Sequence, residues 1–306
     1  MRGTLQKTRT TERGGVLGAL LVRLVAGTFV LSGAWAAYTQ NKQAPAPMVV
    51  NKVTDDLYEL EQNGNGNAAV YLTDDGVILV DDKFEPSHDE VMADVKKLTP
   101  KPVKDVLNTH HHQDHTGGNA KMLAENVVIV AQRNARANMV TGKQSGLPPV
   151  TFGDQAQVFL GGKEVDLYYN GRGHTNGDVV AYFPALKVLH TGDLFTTNGQ
   201  GSVAPILDYN GGASAAEWTK TLDGVLKLDF DTVIPGHGPI SKRADLEKYR
   251  AGLGSMQARV RDMARQNKTR DDISKMLQTD FGWGATGMGM NSLDRMIAEL
   301  KAAELK

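Results

Sequence analysis

Asn108-Thr109-His110-His111-His112-Gln113-Asp114-His115-Thr116-Gly117-Gly118 decides how this chain is read. It follows directly on the apolar pair Val106-Leu107, so it stands where a short strand gives way to a loop. Folded domains present their reactive groups at such places. On an extended backbone, residues two apart point to the same side. His110 and His112 can therefore hold one ion together while the chain turns and Asp114 and His115 face elsewhere. The Gly117-Gly118 pair lets the backbone bend sharply into the next element. Four histidines and an aspartate within six positions repel one another when protonated and are costly to bury. A metal ion offsets both costs. A solvated histidine tract is the plain alternative, but it would not sit between an apolar strand and a Gly-Gly turn.

Further along come three turns, Gly173-His174-Thr175, Thr191-Gly192-Asp193 and Pro235-Gly236-His237-Gly238. Each alone is a weak signal; in this order, after the first cluster, they are a strong one. Their surroundings alternate short apolar strands with amphipathic helices. Val77–Val80 reads as a buried strand ending in Asp81-Asp82, and Val127–Val130, Val179–Phe183, Val188-Leu189 and Thr232–Ile234 read as further strands. Ser87-x-x-Glu90 is a capping-box pattern opening a helix with Val91, Val95 and Leu98 on one face, which would leave His88 exposed. A second box, Ser214-x-x-Glu217, opens a helix carrying Trp218, Leu222, Val225 and Leu226. In both halves a capped helix precedes a short strand that ends in a histidine turn, Asp105–His110 and Asp231–His237. Two such halves predict two packed sheets with helices on both flanks. Beyond Lys242, Leu246, Tyr249, Leu253 and Met256 follow helical spacing, and a last helix is expected from about Ser292, making 243–306 a C-terminal helical extension. Met288 and Met290, in the Gly-rich break before it, read as core packing or a partner contact.

Composition narrows the function. Lys+Arg 34 against Asp+Glu 35 gives a formal net charge of -1, so nucleic acid is excluded as a main partner and a small-molecule substrate is expected. With no cysteine, disulfides, thiolate metal sites and cysteine nucleophiles are ruled out. Arg2, Lys7, Arg9 and Arg13 precede an apolar run from Val16 to Ala37 that Arg23 interrupts. Leu24–Gly33 is too short to span a bilayer, and Ala34-Trp35-Ala36 offers a cleavage site. Residues 1–37 therefore read as a signal peptide or anchor and 38–47 as a linker, with export to the periplasm or beyond and no stable membrane span after cleavage.

The His-x-His-x-Asp-His pattern at 110–115, followed by His174, Asp193 and His237, resembles the metallo-β-lactamase superfamily over about residues 48–242. That resemblance implies an α/β fold, a four-layer αββα sandwich with metals at one edge between the sheets. Position by position it implies His110, His112 and His174 as one metal site and Asp114, His115 and His237 as the other. Asp193 would bridge the two, and Asp81 would support them from behind. The implied cofactor is a pair of divalent ions about 3.5–4 Å apart, zinc first, with iron and manganese also suited to His and carboxylate. A water shared by such a pair has its pKa lowered toward ~7 and supplies hydroxide for attack on an amide, ester, thioester or lactone carbonyl. Asp114 is the catalytic candidate, as ligand and orienter of that nucleophile. His111 reads as a pocket-wall or supporting residue, and His190 as supporting or core.

Cysteine-ligand zinc β-lactamases carry a Lys shortly after the cysteine; here Asp193 stands at that position and no Lys or Arg occurs from Leu194 to Thr219. This argues against a β-lactamase of that type. A glyoxalase II-like thioesterase fits the ligand set. A metal-binding scaffold without activity is the non-enzyme alternative, disfavoured because all seven positions are filled. Gly199–Gly212, rich in glycine, is expected as a mobile wall of the pocket.

Overall fold

A computed structural model describes residues 47–303 except Gly64, Thr286 and Gly287. The signal-like segment 1–37 and nearly all of the 38–47 linker lie outside the described residues, as does the side chain of Met288.

The first sheet runs in chain order: β1 (Val49–Lys52), β2 (Leu57–Glu61), β3 (Ala68–Leu72), β4 (Val77–Val80), β5 (Val103–Asn108), β6 (Val128–Gln132) and β7 (Val150–Phe152). Pairing is antiparallel up to β4 and parallel from β4 to β7. The second sheet comprises β8 (Gln155–Leu160), β9 (Lys163–Tyr168), β10 (Val180–Phe183), β11 (Val188–His190), β12 (Thr232–Ile234) and β13 (Ser241–Lys242). Within it β11 and β12 pair in parallel and the other neighbours antiparallel. Helices α1 (His88–Leu98), α2 (Gln113–Thr116), α3 (Asn119–Ala124) and α4 (Arg133–Thr141) come from the first half. From the second come α5 (Trp218–Val225), α6 (Arg243–Arg265), α7 (Arg270–Phe281), α8 (Met288–Asn291) and α9 (Leu293–Ala302).

The period-2 alternation of strands sorts side chains into layers. In β4, Ile78 and Val80 enter the core between the sheets with Tyr71, Leu107, Phe183 and Ile234. Val77 and Leu79 point the other way, to a core shared with Val91 and Val95 of α1 and Met122 of α3. The second sheet repeats the scheme: Val188 and Ala181 face inward, whereas Val180, Leu189 and Val233 pack under the remaining helices. Four layers result, the αββα sandwich that the sequence pattern implied. Tyr71 and Phe183 meet edge-on across the sheets at 5.1 Å between ring centroids.

The helices after Lys242 complete the outer layer. Leu246, Tyr249, Leu253 and Met256 of α6 share one core with Trp218, Leu222 and Val225 of α5, and Met290, Met296 and Leu300 join them. The described residues form one compact unit. Among the described residues no helix is long and apolar enough to cross a membrane.

Two local expectations fail. Ser87 does not cap α1: it ends a 3-10 turn with helical backbone angles, φ -87° and ψ -8°, rather than the extended geometry a cap requires. Its hydroxyl instead donates to Gln62 Oε1 at 2.7 Å, and Glu90 accepts from the Met48 N–H at 3.0 Å, so the pair fastens the helix to the first sheet. His88 is buried, not exposed, with Nε2 3.0 Å from Glu125 Oε1. The second box is half made. Ser214 Oγ accepts from Glu217 N at 3.1 Å, but the Glu217 carboxylate pairs with Arg172.

Candidate metal centre

β4 and β5 run parallel, as do β11 and β12, so the turns leaving them open at one edge between the sheets. Asp81, at the end of β4, takes a left-handed backbone with φ 62°. Its carboxylate accepts from Thr109 N (2.8 Å), Thr109 Oγ1 (2.7 Å) and His115 Nδ1 (2.7 Å), with no exposure to solvent. Thr109 Oγ1, having given its proton to Asp81, can only accept from His110 Nδ1, 3.1 Å away. This relay commits the Nδ1–H of both rings, leaving Nε2 of neutral His110 bare and turning Nε2 of His115 into the cluster.

His112 and His174 are held from the opposite side. His174 Nδ1 donates to the Ile206 carbonyl at 2.6 Å, and His112 Nε2 donates to Asp208 Oδ2 at 3.0 Å. Their free nitrogens then converge, His174 Nε2 lying 2.8 Å and His110 Nε2 3.2 Å from His112 Nδ1. Three bare imidazole nitrogens at such distances repel unless a cation lies among them. Asp193 Oδ2 closes the group, 3.5 Å from His174 Nε2. Its other oxygen, Oδ1, lies 3.3 Å from His115 Nε2 and 3.5 Å from His237 Nε2. Asp114 Oδ2 completes that side, 3.1 Å from His237 Nε2 and 3.6 Å from His115 Nε2.

All seven residues singled out in the sequence thus meet at one place. They form two groups able to hold a metal ion, His110–His112–His174–Asp193 and Asp114–His115–His237, each within 4.8 Å. The donor set fits such an ion: His115 Nε2 and Asp193 Oδ1 are buried with no hydrogen-bond partner, and both face the cluster. Orphaned polar atoms of this kind are rare in folded proteins and call for an occupant.

Electrostatics separate the two groups. Burial, then the neighbouring His115, hold His110 well below the ordinary imidazole range. Burial brings His174 down to about 4, so both are neutral imidazoles. Burial also opposes protonation of His115, but Asp193 and Asp81 outweigh it and raise His115 well above its usual range. His237 is likewise opposed by burial, yet the neighbouring Asp114 and Asp193 carboxylates lift it to about 9. Burial would raise Asp193 too; His115 reverses that and keeps it a carboxylate.

Close backbone approach makes this possible. A Cβ on Gly236 would stand 2.1 Å from Asp193 Oδ1, and Gly192 takes φ 49° while pressing on Thr109. Trp218, fully buried, donates from Nε1 to the Leu194 carbonyl at 3.1 Å and seats the turn that carries His174. Thr175 N and Oγ1 bond the Asp178 carboxylate, fixing that turn from its far end.

The cluster floors a cavity of about 700 Å³ whose walls include Phe84, Gln113, Thr196, Asn198, Ser202 and Ile206. No Lys or Arg is among its described lining residues. Part of the Gly199–Gly212 stretch forms this wall, while Val203 and Leu207 of the same stretch are buried in the outer core. His111 lies beside it, Nε2 3.4 Å from Asp208 Oδ2. His190 supports the Asp193 turn, its Nδ1 accepting from Gly192 N at 3.1 Å. Asp208 escaped the sequence reading; its only signal is an acidic residue in the turn-forming run Asp208-Tyr209-Asn210-Gly211-Gly212.

The family model described as "Metallo-beta-lactamase superfamily" matches residues 62–237, and the chain belongs to that superfamily. A "Metallo-beta-lactamase type 2" from Bacillus cereus is 28% identical over 180 residues, 58% of this chain and 68% of that protein. Metallo-beta-lactamase IND-1 of Chryseobacterium indologenes is 30% identical over 180 residues, 56% of this chain and 72% of that protein. The 2,4-dinitroanisole O-demethylase subunit alpha of Nocardioides sp. (strain JS1661) is 29% identical over 169 residues, 54% of this chain and 50% of that protein. Among solved structures, a metallo-beta-lactamase from Pontibacter korlensis superposes with a TM-score of 0.60 at 25% identity, covering 68% of this chain and 99% of that one. The chain is accordingly a hydrolase of a family acting on small molecules, with a His/Asp cluster capable of binding metal.

Proposed function

We propose that this chain is an exported, dinuclear metal-dependent hydrolase of uncharged carbonyl substrates: esters, lactones, thioesters or amides. The observation that carries the reading is Asp193, whose two oxygens face two different ligand groups. His110, His112 and His174 would hold one ion, Asp114, His115 and His237 the other, and Asp193 both. Zinc is the first choice, iron and manganese the next. When bound, such ions acidify water at neutral pH and polarise a substrate oxygen.

The protein's own groups supply the rest. Asp114 is part-exposed to the cavity and can accept a hydrogen bond from the attacking water, then pass its proton on. Phe84 and Ile206 give the acyl portion apolar contact, and Thr196, Asn198 and Ser202 offer neutral hydrogen bonds. A substrate carboxylate would meet no Lys or Arg on the described wall, which supports a neutral substrate. Export rests on the basic, then apolar, run from Arg2 to Ala36. A second reading, β-lactamase proper, is favoured by the names of the Bacillus and Chryseobacterium relatives.

The test is a turnover screen of the purified chain loaded with each metal, setting a lactone and a thioester without carboxylates beside a cephalosporin. Neutral substrates should be preferred, and His110→Ala or Asp193→Ala should lower kcat/KM by about 10⁴-fold. A cephalosporin as best substrate would install the second reading. Full activity in either variant would overturn the site assignment, and two bound ions without any turnover would favour a scaffold.

A further inference from the structure

Beyond the family-matched span, which ends at residue 237, the chain adds helices that fasten the 203–216 segment bordering the candidate metal centre. The main contact is one carboxylate. Glu299 of α9 accepts from Tyr209 Oη (2.7 Å), Ser214 Oγ (2.5 Å), Ala215 N (2.9 Å) and Ala216 N (3.4 Å). Four donors on one acid tie both ends of the 209–216 segment to α9. The same helix adds Arg295, which bonds the Asn210 side chain at 3.0 Å and the Tyr209 carbonyl at 3.2 Å and lies over the Tyr209 ring. Ser292 Oγ donates to the Leu207 carbonyl at 2.7 Å, and Trp283 Nε1 to the Val203 carbonyl at 2.9 Å.

The clasped segment is the one that aims two of the candidate ligands. The Ile206 carbonyl receives His174 Nδ1–H, Asp208 receives His112 Nε2–H, and Asp208 N donates to the His174 carbonyl at 3.0 Å. No other protein group bonds those two remote ring nitrogens among the described contacts. Partners of this kind fix tautomer and ring orientation, and their loss typically weakens metal binding about 10–100-fold.

From this chain of contacts we propose that Glu299 is a positioning residue: through the 206–216 segment it sets His112 and His174 for metal binding. The C-terminal helices are then part of the site's support. The inference rests on the ligand assignment of the proposed function. It is tested by competition of zinc against a chromophoric chelator and by the visible spectrum of the cobalt(II)-loaded protein, both without substrate.

Glu299→Gln and Asp208→Ala should each weaken one of two zinc equivalents by about 10-fold or more and alter the cobalt spectrum, with far-UV circular dichroism unchanged. Met296→Ala removes a buried side chain of the same helix without touching the carboxylate; it should lower Tm and leave zinc affinity as in the wild type. Wild-type affinity and spectrum in folded Glu299→Gln would overturn the inference, as would an equal loss of affinity in Met296→Ala. Should Glu299→Gln not fold, Tyr209→Phe, which removes one donor from the same acid, is read the same way: weaker zinc binding supports the inference and unchanged binding overturns it. A wild type that takes no metal sinks the ligand assignment and this inference together, whereas wild-type loading with unaltered variants sinks only the latter.

Discussion

His115 and His174 approach the same carboxylate, Asp193, but their far sides meet very different surroundings. His115 leans on Asp81, a fully buried acid at the end of a central strand that also secures Thr109 and, through it, His110. His174 leans on a backbone carbonyl of a surface segment, one clasped by helices from outside the family-matched span. The rear support is built into the sheet and cannot loosen without disturbing the core. The front support is a strap whose tightness depends on hydrogen bonds at its outer edge. Rear-side changes should therefore register in folding stability, and front-side changes in metal grip.

The largest expected difference comes from Asp81→Ala. It leaves three donors unpaired in a dry site and should cost about 3–5 kcal/mol in a urea titration. Asp208→Ala, at a part-exposed acid, should cost only about 1 kcal/mol. Equal losses would erase the distinction between rear and front support. Next in size is metal removal. Loading at 100 times Kd contributes about 2.7 kcal/mol, so a chelator should lower Tm by roughly 5–10 °C. Hydrogen exchange sharpens the same comparison: on chelation the amides of Val203, Asp208 and Ala213 should lose more protection than those of Asp82 and Thr109.

The smallest effect is a pH trend confined to the metal-free chain. His237 is raised to about 9 and His115 in the same direction, both above the unfolded imidazole value. Above about pH 7, where the unfolded imidazoles and the lowered His110 and His174 are mostly neutral alike, the folded state thus binds more protons than the unfolded one, and stability falls as pH rises. Lys83, buried and brought down to about 8, acts oppositely only above that pH. Metal-free Tm should accordingly be lower at pH 8 than at pH 7, whereas the loaded protein, whose ions replace those protons, should show little change. A metal-free Tm that rises across this window would refute the assigned protonation.

The cluster was legible because each of its residues ends a strand or sits in a Gly-flanked turn, features local to the sequence. The apolar runs of β4, β5, β6, β10, β11 and β12 were legible for the same reason. β1 and β8 were not, since Val49–Lys52 and Gln155–Leu160 mix polar and apolar residues and are mostly exposed or part-exposed. Capping boxes misled at Ser87 because an adjoining 3-10 turn and Gln62, distant in sequence, claimed the hydroxyl. Glu299 had no local pattern at all, and Asp208 only a turn-forming context. Their meaning comes from partners far along the chain, which only the folded packing reveals.

That the described cavity wall carries no Lys or Arg bears on the end of the proposed reaction as well as its beginning. Hydrolysis of an ester, lactone, thioester or amide creates an anion where none existed. Under the proposed function that newborn acid would find no ammonium or guanidinium on the described wall to detain it, and would be held by the His/Asp floor alone. Escape of product, often the step that limits an enzyme's throughput, would thereby be eased by what the described wall lacks.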